Sequence, residues 1–122
     1  MSLATWMNSL IRSEADVEAD EIAAECARPG CVTICTVEPG SHVTITGTVH
    51  SIAVPPQSQN PQVRVDLYDG SGIIELVWLG RRAIRGVETG AYLTVSGRVA
   101  RGPSAGRLCI YNPAYDLLPA RG

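Results

Sequence analysis

Gly40-Ser41-His42-Val43-Thr44-Ile45-Thr46-Gly47-Thr48-Val49 alternates apolar and polar side chains along its length. Val43, Ile45, Gly47 and Val49 fall on one face, while Thr44, Thr46, Thr48 and His50 fall on the other. A period of two is the mark of a strand with one buried face. Gly47 removes a side chain in mid-strand, where the first strand of a small barrel bends to pair on both sides.

The same alternation recurs downstream. Val63, Val65 and Leu67 alternate with Arg64, Asp66 and Tyr68, and Asp69-Gly70-Ser71-Gly72 reads as a hairpin turn into a strand from Ile73 to Leu79. A hairpin that pairs Leu67 with Ile74 sets Asp66 beside Glu75 on the outer face. Trp78 shares a face with Ile74 and Leu76, which assigns it to the core. Residues 80–90 read as a linker with one short helical turn. Leu93, Val95, Gly97 and Val99 form a fourth strand, and a Gly/Pro/Ser loop at 102–106 leads to a last strand that buries Leu108 and Ile110. A polar loop spans 55–61.

Upstream, Cys31–Val37 reads as a short strand, and Glu38–Ser41 as a turn. Residues 1–28 read as a helix: Leu3, Met7, Leu10 and Ile11 share a face, as do Ala15, Ile22 and Cys26, and Arg28-Pro29-Gly30 ends it. The helix is expected to break or restart near Ser13. Five main strands with a bent first strand and a helical link after the third predict an all-β, five-stranded OB-fold Greek-key barrel over 29–122, with an added N-terminal α-helix over 1–28.

Composition narrows the chemistry. All ten basic residues are Arg, and a chain without Lys forms no Walker A loop, Schiff base or Lys-activated nucleophile. Residues 14–25 hold six acids and no base, whereas 26–122 hold six acids against nine arginines, a net of +3. An acidic helix thus precedes a mildly basic barrel. No apolar run is long enough to span a membrane and no basic segment leads an apolar one, so a cytoplasmic location without membrane contact is expected. Cys26, Cys31, Cys35 and Cys109 lack paired C-x-x-C knuckles, even with His42 as an extra ligand, and are expected to remain thiols without metal. His42 and His50 face no nucleophile in sequence, and no phosphate loop, dinucleotide fingerprint or nucleophile elbow appears. A non-enzymatic module with no catalytic residue and no cofactor is the expectation.

Four segments carry a resemblance: 40–49, Asp69–Leu79, Gly90–Arg98, and Leu108–Asp116 with its Asn-Pro-Ala-Tyr-Asp ending. Together they resemble OB-fold nucleic-acid-binding domains, specifically the wedge domain of fork-reversing DNA helicases. They are also similar to small stand-alone actinobacterial OB-fold proteins with a Trp-Leu-Gly-Arg-Arg-like segment. Where wedge domains place stacking aromatics after strand three, this chain offers Leu79 and Ala83, which points away from strand splitting.

The candidate binding residues are arginines and tyrosines. Arg81, Arg82 and Arg85 cluster after the third strand, with Arg81 and Arg85 one turn apart if that segment is helical. Arg101 and Arg107 bracket the loop between strands four and five, and Arg64 and Arg98 are predicted to point outward. Guanidinium forks suit phosphate oxygens, and Tyr68, Tyr111 and Tyr92 offer rings for stacking. The expected ligand is single-stranded nucleic acid, DNA ahead of RNA. The alternative is a protein-protein interaction or assembly module on the same face and the N-terminal helix, motivated by the Asp66/Glu75 pair and the overall acidity. The apolar positions Leu3, Trp6, Met7, Leu10 and Ile11 exceed what the barrel interior needs and predict a homodimer or larger oligomer.

Overall fold

A computed structural model describes residues 14–56, 60–103 and 106–119. Its elements are one helix, α1 (Glu14–Cys26), and six strands: β1 (His42–Ala53), β2 (Gln62–Tyr68), β3 (Ile73–Leu79), β4 (Tyr92–Arg101), β5 (Leu108–Tyr111) and β6 (Ala114–Leu117). The sheet order β1-β2-β3-β5-β4 closes through a β1–β4 pairing, giving the expected five-stranded ring. Neighbouring strands pair antiparallel, except that β3 and β5 run parallel.

The bend in β1 falls where the glycine predicts it. Thr48 pairs with Tyr92 of β4 on one side and Tyr68 of β2 on the other, so β1 changes partner at that residue. A side chain at Gly47 would put its Cβ 2.7 Å from Leu67 Cγ. The ladder then slips between Val49 and Ser51, a bulge that sharpens the turn of the strand.

Inward-facing Ile45, Val65, Leu67, Ile74, Leu76, Leu93, Val95 and Ile110 are fully buried. Each such side chain contributes about 1.5–3 kcal/mol relative to exposure. Trp78 is in this core as expected; its Nε1–H donates to the Pro113 carbonyl at 3.1 Å, and its ring meets Tyr115 edge-on at 5.7 Å.

Three local expectations are corrected. Residues 31–37 do not form a strand: apart from Val32 N–H donating to Thr44 O, they make no ladder, and Ile34–Thr36 is a 3₁₀ turn. That turn drives Ile34 into the core, and the buried Asp69 carboxylate accepts the Ile34 N–H at 2.8 Å. The second correction concerns residues 80–90, which contain no helical turn. Gly80, Gly86 and Gly90 all hold left-handed φ values that interrupt a helix, and the loop instead inserts Ile84 and Val87 into the core. Arg81 and Arg85 are therefore not stacked one helical turn apart. Finally, the last strand is broken. Asn112, at φ 49, and Pro113 split it, so β5 bridges β3 and β4 while β6 continues along β4.

Helix α1 packs by its small residues. Ala19 and Ala23 lie so close to the β2–β3 turn that only glycine fits at position 70. Ile22 and Cys26 are buried as the apolar pattern predicts, whereas Ala15 is exposed. Leu3, Trp6, Met7, Leu10, Ile11 and the break near Ser13 lie outside the described residues. No described helix is long and apolar enough to cross a membrane.

Candidate functional site

The outer face of β2, β3 and β5 carries the most chemistry. The register places Asp66 opposite Glu75, as the hairpin predicts, and Glu75 beside Cys109. One rung further along, Arg64, Val77 and Tyr111 sit side by side. Each carboxylate on this face is held by an arginine. Arg64 Nη2 lies 2.9 and 3.0 Å from the two oxygens of Glu75, and Arg107 Nη2 lies 2.9 Å from Asp66 Oδ1. Ser51 Oγ donates to the other Asp66 oxygen at 3.1 Å.

These pairs differ in depth. The Glu75 side chain is only 6% exposed, whereas Arg107 is 39% exposed and Asp66 24%. A charge buried like Glu75 needs its cation, but the wetter Arg107–Asp66 pair is cheap to open. The negative charge at mid-face is therefore offset by two arginines, which leaves those guanidinium groups partly committed.

Beside this network stands Tyr111, 43% exposed, with Leu79 exposed at the end of β3. The Cys109 thiol beside Tyr111 pushes the tyrosine pKa upward. Burial pushes the Cys109 pKa up as well. Tyr111 thus remains a neutral ring at physiological pH.

The face is flanked at both ends. The segment after β3 begins at Gly80, whose N–H donates to Pro61 O, so exposed Arg81 and Arg82 stand beside the loop joining β1 and β2. Arg85 is exposed further along, its carbonyl accepting from Tyr115 Oη at 2.9 Å. Toward the other end, Arg101 and Arg107 flank the β4–β5 loop, closed by the Gly102 N–H to Arg107 O bond.

Three expected residues do not join this group. Arg98 is exposed but pairs across β1–β4 with His42, on another side of the barrel. Tyr68 makes an edge contact with His50, ring centroids 6.1 Å apart, and lines a separate cleft of about 930 Å³ under α1. Tyr92 lines that cleft too. The sequence reading missed the cleft and the Arg64–Glu75 and Arg107–Asp66 pairing. Opposite charges two residues apart across the predicted hairpin were the available signal for the first pair.

The cysteines are all free. Cys31 Sγ lies 3.2 Å from Thr46 Oγ1, Cys35 is exposed, and burial raises the Cys26 pKa to about 11 with help from Asp69 and Glu25. Among the described residues no three His, Cys, Asp or Glu side chains gather around one point.

Among solved structures, the chain is similar to RecG bound to a three-way DNA junction, at 22% identity and a TM-score of 0.59 over 75% of this chain and 13% of that one. It is also similar to the OB domain of MM0293 from Methanosarcina mazei, at 18% identity and a TM-score of 0.56 over 76% of this chain and 87% of that one. A third similar structure is the HINb domain of p204, at 14% identity and a TM-score of 0.57 over 72% of this chain. This chain spans about half the p204 chain, 47%, and a small part of RecG. At these identities the likeness is one of fold. A search of curated proteins finds no significant match. The family model for the OB-fold nucleic acid binding domain matches residues 43–117, from β1 through β6. With well over half its length matched, and the closed ring of strands in place, this chain belongs to the OB-fold nucleic-acid-binding domain family.

Proposed function

We propose that the protein binds single-stranded nucleic acid, DNA ahead of RNA, across the outer face of β2, β3 and β5, and that it acts by binding and not by catalysis. The observation that carries this reading is the row Arg64–Val77–Tyr111, an anchored arginine and an exposed ring one strand apart, inside a family of nucleic-acid binders. In OB folds this face and its bordering loops take oligonucleotides. An unpaired base presents a flat face to Tyr111 and Leu79, while its phosphates reach Arg81 and Arg82 at one end and Arg101 and Arg107 at the other.

The carboxylates temper the affinity. Asp66 competes with phosphate for Arg107, so tight binding requires that pair to open or share. The order of DNA before RNA rests on the resemblance to the helicase wedge domain.

Fluorescence anisotropy with labelled single strands at low salt tests the reading. With about three phosphate contacts, log Kd against log salt has a slope of magnitude ~2 for a single strand. No binding with tens of micromolar protein at low salt removes the proposal.

A further inference from the structure

Helix α1 carries carboxylates as well as apolar side chains on the side toward the cleft. Toward the cleft it turns Ala15, Glu18, Ile22 and Glu25, spaced as one helical face, with Glu21 at the flank. The facing wall carries the rings of His50, Tyr68 and Tyr92 and the hydroxyls of Thr48 and Thr89, beside the apolar Val49 and Ile73. Among the described residues no arginine lines the cleft. Its volume, about 930 Å³, is that of a ligand pocket. Glu18 and Glu21 on one wall and the Tyr68 ring on the other suit a guanidinium, which takes fork-shaped hydrogen bonds and packs on aromatic rings.

The chain itself supplies the complementary group. Arg81 and Arg85 are exposed on the tight segment between Gly80 and Gly86, which buried Ile84 anchors to the core. Among the described residues, neither arginine is held by a carboxylate. Such a segment presents its guanidinium groups with little ordering cost. The same loop ends at Thr89 and Gly90, which line the cleft, so donor segment and receptor cleft are neighbours along the surface. Under a two-fold axis each copy gives its arginine segment and receives the other's.

We infer that the cleft under α1 is a docking site for the Arg81–Arg85 segment of a second copy of this chain. The contact is electrostatic, so it weakens as salt rises. Phosphate and the partner's cleft compete for the same arginines, but the docking itself does not depend on nucleic-acid binding.

The test uses the full chain and two charge-reversal variants, Glu18→Arg with Glu21→Arg, and Arg81→Glu with Arg85→Glu. All four side chains are exposed, so both variants keep the fold, which circular dichroism checks. Sedimentation at low salt is expected to give twice 13.0 kDa for the natural chain and a single-chain mass for each variant alone. An equimolar mixture of the two variants is expected to recover the doubled mass, because each reversed surface then meets its complement. A natural chain that stays at 13.0 kDa at high micromolar concentration overturns the inference. So do variants that assemble as the natural chain does, or a mixture that fails to recover. The helix variant leaves every arginine in place, so its loss of assembly with oligonucleotide binding retained separates this contact from the nucleic-acid reading.

Discussion

Arg64 on β2 and Glu75 on β3 are joined diagonally across the hairpin ladder, one Nη2 nitrogen serving both carboxylate oxygens at 2.9 and 3.0 Å. Their direct cross-strand partners are Val77 and Asp66. The pair therefore ties two successive rungs together and fixes the side chain that the proposed site needs.

Removing the arginine leaves a nearly buried carboxylate alone, whereas removing the charge of the acid leaves a neutral amide beside an arginine that can turn to water. Arg64→Ala is expected to lower stability by about 2 kcal/mol and Glu75→Gln by about 1 kcal/mol, both discounted for the partial exposure of Arg64. Urea denaturation of the two variants checks the order. Equal losses would mean that the pair is not the source.

Asp66→Asn keeps the shape of the side chain but releases Arg107 from its ion pair. Oligonucleotide affinity at low salt is expected to rise about three- to tenfold, and the salt slope to steepen by up to ~0.7 as one more phosphate contact becomes available. Anisotropy titrations at several salt concentrations measure both. A fall in affinity would show that Asp66 assists the ligand.

Much of this fold was legible in the residues. Alternation placed β1, β2 and β4, Gly47 marked the bend, and the Asp69-Gly70-Ser71-Gly72 turn placed β3 and a register that put Asp66 beside Glu75. The misreadings have physical causes. Residues 31–37 alternate like a strand, but with nothing beside them to complete a ladder they are used to bury Ile34. Ile84 and Val87 have helical spacing, but the three left-handed glycines around them dictate a loop. The candidate site was half legible: its arginines stood out, but which carboxylate each would meet depended on the diagonal contact and on the Arg107 side chain reaching across to β2. The parallel β3–β5 pairing that sets Tyr111 beside Val77 has no local signal at all.

Gly70 is the point where α1 rests on the barrel. Its φ is +89°, and a Cβ there would lie 2.5 Å from Ala19 O and 2.8 Å from Ala23 N. Gly70→Ala is expected to cost about 2–3 kcal/mol, combining a left-handed conformation with a backbone clash. Because the clash falls on the helix, its amides should lose hydrogen-exchange protection before those of the β3 core. Unchanged protection in 19–26 would contradict this docking.

The thiols should divide by depth. Cys35 is exposed and Cys31 half-buried, while Cys26 and Cys109 are buried with raised pKa values. At pH 8 a pKa of about 11 for Cys26 in place of 9.0 leaves about a hundredfold less thiolate. A thiol reagent should therefore label Cys35 first, and Cys26 and Cys109 only on unfolding. The sign for stability follows: the folded state favours the protonated Cys26 thiol, so this contribution is complete below pH 9 and is lost as pH rises through about 11. Rapid labelling of Cys26 in the native protein at pH 8 would refute it.

The central claim is that nucleic acid lies across β2, β3 and β5, and amide chemical-shift mapping with a single-stranded DNA oligonucleotide at low salt tests it most directly. Perturbations are expected at Arg64, Val77, Tyr111 and Arg107, extending to Arg81 and Arg82, with little change at Arg98. Perturbations confined to the β1–β4 side around His42 and Arg98, or to the cleft under the helix, would contradict it.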